Sequence, residues 1–108
     1  DGAPYVVTGS PGGSRIITTV TQIISNVIDH DMNIAEATHA PRIHDQWMPD
    51  EIRIEKALSV DTVNKLESMG HTISPKATMG STQSIMVTPK GKYGATDPRQ
   101  VDAAVVGY

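Results

Sequence analysis

Seven consecutive residues, Gly9-Ser10-Pro11-Gly12-Gly13-Ser14-Arg15, form the one arrangement in this chain with a direct chemical use. They follow Tyr5-Val6-Val7-Thr8, a β-branched and aromatic run that reads as a strand, and they precede a segment with helical periodicity. A helix start leaves backbone N–H groups unpaired and carries partial positive charge, so negative charge is stabilised there. Adjacent glycines leave the amides unshielded and free to take the backbone angles that aim two consecutive N–H groups at one point. Such a pair can receive the oxyanion that forms during acyl transfer, and removing one such donor costs about 3 to 4 kcal/mol of transition-state stabilisation. Glycine-rich turns also join strands to helices as plain connectors, and the residue types taken alone favour that use. A phosphate cradle fits less well. The loop has neither Gly-x-Gly-x-x-Gly spacing nor a Gly-Lys-Ser/Thr ending, and no acidic residue closes a second strand to take a ribose.

Two residues beside the glycines have double readings. Ser14 can cap the helix that follows or touch a substrate, and capping is the stronger of the two. Arg15 can neutralise an anion or form a structural ion pair at the helix start. The four histidines, His30, His39, His44 and His71, lack metal-ligand spacing and read as solvated or locally bonded, so no metal site is predicted. Asp50-Glu51 and the Asp29, Asp31 pair read as solvated surface. The polar loop Gly80-Ser81-Thr82-Gln83 has a structural reading ahead of a place in a site wall. Trp47, in a polar loop, is a candidate interface anchor.

The elements that must position the glycine loop are legible in outline. Ile16, Ile17, Val20, Ile23, Ile24, Val27 and Ile28 fall on one wide apolar face of a helix. These residues are all β-branched, so that helix must be held by burial more than by propensity. Asn33 with Glu36 three residues on makes a capping box for a second, two-turn helix that Pro41 ends. Ile43 and Ile52-Arg53-Ile54-Glu55 predict two short strands around the loop 45–51. Ser59 is placed to cap a third helix that buries Val60, Val63, Leu66 and Met69 and stops at Gly70. Thr72-Ile73 leads into a loop running through Pro75 to Gly80, Ser84 to Val87 predicts a strand, and Pro89-Lys90-Gly91-Lys92 turns the chain back into Tyr93. Residues 103–106 read equally as a short helix or a strand.

Composition bounds what these elements can build. The chain has 108 residues, enough for one domain and one core, and folding at this size buries about two-thirds of the unfolded surface. With 38% hydrophobic residues, no Phe and one Trp, the core must come from Ile, Val, Ala, Leu and Met. Such a core suits a layer covered by a partner better than an independent unit. A net charge of −3 gives no basic footprint for nucleic acid, and the apolar runs are too short for a membrane span or surface helix. The absence of Cys excludes disulfides and thiolate chemistry and leaves the compartment open. Asp1-Gly2-Ala3-Pro4 reads as a turn at which a larger protein is cut, with any export signal upstream. Neither a repeat nor a linker divides residues 1–108.

The stretch Val6-Val7-Thr8-Gly9-Ser10-Pro11-Gly12-Gly13-Ser14-Arg15-Ile16-Ile17 resembles the strand, loop and helix of the γ-glutamyltranspeptidase small subunit. Asn33-Ile34-Ala35-Glu36-Ala37, Ala40-Pro41-Arg42, Met79-Gly80-Ser81-Thr82-Gln83-Ser84-Ile85, Tyr93-Gly94-Ala95, Asp97-Pro98-Arg99 and Gly107-Tyr108 resemble bacterial members in the same order. The resemblance implies an α+β fold, part of an N-terminal nucleophile hydrolase αββα sandwich with mainly antiparallel strands and covering helices, and makes residues 1–108 a C-terminal segment of the small subunit. It implies a precursor that cleaves itself into large and small subunits, whose N-terminal threonine attacks the γ-glutamyl amide of glutathione or a related donor. Water or an amino-acid or peptide amine then takes the acyl group, and no cofactor is required. The Gly12 and Gly13 amides would hold the oxyanion.

By the same resemblance the nucleophilic threonine and the serines that grip the substrate carboxylate lie upstream of this region, so the segment alone is expected to be inactive. Its partners would be the large subunit and the rest of the small one, in the periplasm or outside the cell, and an isolated segment could self-associate through open sheet edges. The alternative from another class is a non-catalytic structural or subunit-interaction domain derived from the family.

Overall fold

The run Val6–Gly9 forms strand β1, and the helix predicted after it spans Arg15–Ile28 as α1. In the computed structural model, which describes residues 2–107, there follow α2 (Ile34–His39), β2 (Ile43–His44), β3 (Ile52–Glu55), α3 (Val60–Ser68), β4 (Ile73–Lys76), β5 (Gln83–Thr88) and β6 (Gly91–Thr96). Asp1 of the opening turn and Tyr108 of the closing motif lie outside the described residues.

The strands make two three-stranded sheets, β1-β5-β6 and β2-β3-β4. All pairings are antiparallel except β3 with β4, which run parallel because α3 makes the crossover between them. β4 takes in Pro75, a residue expected in a loop; as the edge strand of its sheet it tolerates a residue without an N–H. Helices α1 and α2 pack on the first sheet, with a core of Ile23, Val27, Ile34, Ala37, Met86 and Ala95.

α1 is amphipathic as its spacing predicts, but only part of the apolar face is covered. Thr19, Ile23 and Val27 form the buried stripe, whereas Ile17 is 75% exposed and Ile24 and Ile28 also face outward. Periodicity locates a helix and its apolar side; the width that a three-stranded sheet covers decides which stripe is buried. α2 begins as predicted, with the Glu36 N–H donating to Asn33 Oδ1 at 2.9 Å, and ends before Pro41. α3 departs from expectation in two respects. No residue within it is buried, Val60 being 68% exposed, and Ser59 makes no side-chain capping bond. Its outer position over the edge strand β4 leaves little for it to cover. Its stop does match, since Gly70 has φ +95° and the His71 N–H closes on Leu66 O at 3.2 Å. Residues 103–106 form neither helix nor strand.

Candidate functional site

The loop 10–14 leaves β1 and turns into α1 through two glycines with positive φ, +143° at Gly12 and +60° at Gly13. Their carbonyls are used by the first turn: the Arg15 N–H donates to Gly12 O at 3.1 Å and the Ile16 N–H to Gly13 O at 3.2 Å. Among the described residues, neither the Gly12 nor the Gly13 N–H finds an acceptor. Gly13 is exposed, and a Cβ there would meet nothing within 4 Å. Two consecutive donors are thus open at the N-terminus of a 14-residue helix, whose dipole favours negative charge.

Ser14 occupies the N-cap position, but its hydroxyl does not cap the helix. Its backbone is itself helical, at φ −60° and ψ −22°, a conformation that does not turn the side chain back onto the first amides. The hydroxyl donates instead to Gln46 Oε1 at 3.0 Å, across to the β2–β3 loop. Gln46 Oε1 also lies 2.9 Å from His44 Nε2, and His44 Nδ1 lies 2.7 Å from Thr18 Oγ1 on α1. Because Gln46 Oε1 accepts only, His44 holds its proton on Nε2 towards it. His44 is therefore a buried, locally bonded histidine. Arg15 forms no ion pair among the described residues; its Nε donates to Gly12 O at 3.4 Å. Trp47 is exposed, with its N–H held by Asp45 Oδ1 at 2.8 Å.

The segment 79–82 runs beside the glycine loop because Gly9 pairs with Gln83 at the start of β5. The Ser81 N–H donates to Ser10 Oγ at 3.0 Å, and the Ser10 hydroxyl donates to Pro11 O at 2.8 Å. Gly80, at φ +75°, packs so closely that a Cβ there would lie 2.8 Å from Ser10 Oγ and 2.9 Å from Thr19 Cγ2.

Behind this segment sits a group that the sequence reading did not assemble: Arg42, Glu55, Asp97 and Arg99, two cations and two anions whose side chains are almost wholly buried. Arg42 Nη2 lies 2.7 Å from Asp97 Oδ2, Arg99 Nη1 lies 3.0 Å from Asp97 Oδ1, and Arg99 Nε donates to Glu55 Oε2 at 2.7 Å. Main-chain groups complete the set. The N–H groups of Arg42 and Met79 donate to Glu55, that of Thr82 donates to Asp97, and Arg42 Nη1 donates to Met79 O. Burial alone would raise the Glu55 carboxyl, but hydrogen bonds from Arg99, Arg42 and Met79 outweigh it and hold the group below its ordinary value. Asp97 is depressed in the same way by Thr82, Arg99 and Arg42. Burial lowers Arg42, whereas for Arg99 the two carboxylates overcome burial and raise it. Pro41-Arg42 and Pro98-Arg99 repeat a dipeptide in the sequence, and that repetition was the available signal; their convergence depends on strand pairing that spacing does not reveal.

Residues 1–107 match the family model for γ-glutamyltranspeptidase. The chain belongs to the γ-glutamyltranspeptidase family. It is 60% identical over its whole length to the glutathione hydrolase proenzyme of Escherichia coli K12, of which it spans 19%. Among solved structures, the γ-glutamyltranspeptidase of Pseudomonas nitroreducens complexed with L-DON superposes on all of this chain with a TM-score of 0.89 at 35% identity, and the chain covers 58% of it. A variant of Helicobacter pylori γ-glutamyltranspeptidase gives a TM-score of 0.83 at 54% identity, over 89% of this chain and 54% of that one. The chain thus spans about a fifth of the Escherichia coli proenzyme and a little over half of each of these two solved chains. The two sheets and covering helices belong to the γ-glutamyltranspeptidase fold, the α+β arrangement of N-terminal nucleophile hydrolases, as the sequence resemblance implies.

Proposed function

We propose that this segment serves a γ-glutamyl transferase and hydrolase, in which the Gly12 and Gly13 amides stabilise the oxyanion while the γ-glutamyl amide of glutathione or a related compound is cleaved. The observation that supports this most is the pair of unpaired, consecutive N–H groups at the start of α1 in a chain of this family. In the proposed sequence a threonine oxygen from another part of the same precursor attacks the amide carbonyl, whose oxygen gains charge against the two amides. The C–N bond breaks, the departing amine takes a proton, and the γ-glutamyl ester remains. Water or an amine then attacks that ester through a second tetrahedral oxyanion held in the same place. The segment supplies no nucleophile in this scheme and is inactive alone. Its partners are the large subunit and the remainder of the small subunit, and the assembled enzyme works in the periplasm or outside the cell. Ser14, tied to Gln46, shapes the loop and reaches substrate only as a secondary contact.

The experiment is a Gly13→Val substitution in the enzyme containing this segment, assayed with γ-glutamyl-p-nitroanilide. A β-branched side chain at φ +60° both strains the loop and screens the amide. Turnover falls by about two orders of magnitude, the effect of losing one oxyanion donor, while cleavage into subunits continues. Unchanged turnover removes the loop from the mechanism and favours the non-catalytic alternative.

A further inference from the structure

We infer that Ser10 is a positioning residue that aims the Gly12 amide, and that Gly80 and Ser81 hold Ser10 in place. The inference rests on the oxyanion reading above and concerns how the donor comes to point where it does. A peptide unit is planar, and in a trans unit the N–H points opposite to the C=O. The Gly12 N–H shares its peptide plane with the Pro11 carbonyl, and the Pro11–Gly12 bond is not among the cis bonds of the described residues. Whatever fixes the Pro11 carbonyl therefore fixes the Gly12 N–H. The Ser10 hydroxyl does so, donating to Pro11 O at 2.8 Å.

A serine hydroxyl on a loop rotates freely unless its acceptor side is also engaged. Here the Ser81 N–H donates to Ser10 Oγ at 3.0 Å, so the oxygen is held from behind while its proton faces Pro11. Ser81 is itself anchored, because the residues on either side of Gly80 and Ser81 are tied to the buried charges: the Met79 N–H to Glu55 Oε2 at 3.1 Å and the Thr82 N–H to Asp97 Oδ2 at 2.8 Å. Gly80 closes the contact. With a virtual Cβ 2.8 Å from Ser10 Oγ and 2.9 Å from a fully buried Thr19, no side chain fits there without displacing Ser10. The Gly13 amide has an equivalent device on its own plane, since Gly12 O accepts from the Arg15 N–H at 3.1 Å and from Arg15 Nε at 3.4 Å.

The experiment compares Ser10→Ala, Ser10→Thr, Gly80→Ala and Gly13→Val in the assembled enzyme, measuring kcat and KM for γ-glutamyl-p-nitroanilide, subunit cleavage and thermal melting. A misaimed donor loses binding made only in the transition state, so Ser10→Ala and Gly80→Ala lower kcat about tenfold with KM held within about twofold. Ser10→Thr keeps the hydroxyl and restores most of the loss. If Gly13→Val loses turnover while Ser10→Ala stays within twofold of the parent, the positioning role is wrong and the oxyanion reading stands. If Ser10→Ala loses kcat together with melting temperature and subunit cleavage, Ser10 is a general structural residue and the positioning role is wrong. If Gly13→Val retains full turnover, the oxyanion reading fails and takes this inference with it.

Discussion

Gly12 and Gly13 adjoin each other in sequence and differ in what a side chain would cost. At Gly13 the surrounding space is open and φ is +60°, in the left-handed region that Asn enters more readily than other residues. An ordinary L residue there pays about 1 to 2 kcal/mol of backbone strain, and Asn less. Gly12 at φ +143° lies where side chains rarely go, and its Cβ would stand 3.7 Å from Arg15 Cβ. Gly13→Asn is therefore expected to retain more turnover than Gly13→Ala, and Gly12→Ala to retain least; kcat measured on the three variants gives the order. At this scale the sequence was informative about the glycines, because their type alone signals unusual backbone angles. It misled about Ser14, whose type favours a cap, because the partner its hydroxyl takes instead, Gln46, is 32 residues away. Ser10 was invisible for the same reason, since its partner Ser81 is 71 residues away.

The helix α1 was the most legible element, and its burial the least. Seven apolar residues marked the face, yet the fully covered stripe runs through Thr19, Ile23 and Val27, with Ile17 left outside. A period fixes direction around the helix axis; it does not report how wide a neighbour will be. The same limit explains α3, where the pattern and the glycine stop were right and the expected burial was absent. Helix α2 was recovered with its cap because Asn33 and Glu36 act on each other locally. The consequence for α1 is a contrast in stability. Ile23→Ala, at a site with no exposure, should cost about 2 to 5 kcal/mol. Ile17→Ala should cost well under 1 kcal/mol wherever that face stays open to solvent. Urea unfolding of the two variants measures the difference, and equal costs would mean that another part of the enzyme covers Ile17.

Across the whole molecule, Arg42, Glu55, Asp97 and Arg99 join α2, both sheets and the segment behind the glycine loop. Glu55→Gln leaves Arg99 without one of its two anions in a buried setting and should destabilise the fold by about 3 to 5 kcal/mol. The pH dependence has a definite sign. Glu55 and Asp97 are depressed in the folded chain, so the stability they contribute is complete above about pH 4, the ordinary carboxylate value, and is lost as pH falls through their lower folded values. Melting temperature should therefore hold between neutrality and mild acidity and drop below about pH 4, with a smaller drop in Glu55→Gln. In the sequence Arg42, Asp97 and Arg99 stand in motifs that mark the family and Glu55 ends a predicted strand, with nothing to say that the four meet. Their neutral, buried grouping follows from strand register, with Arg42 next to Ile43 opposite Ile54 and Asp97 following Thr96 opposite Gln83.

That framework matters to function only if the two amides it supports meet a charged oxygen. The direct measurement is a crystal structure of the enzyme containing this segment, trapped with a γ-glutamyl phosphonate whose oxygen stands in for the oxyanion. That oxygen is expected about 2.7 to 3.1 Å from both the Gly12 and the Gly13 nitrogen, held by the two amides together. An oxygen bound elsewhere, with either amide beyond about 3.5 Å or paired to a protein carbonyl, would contradict that expectation.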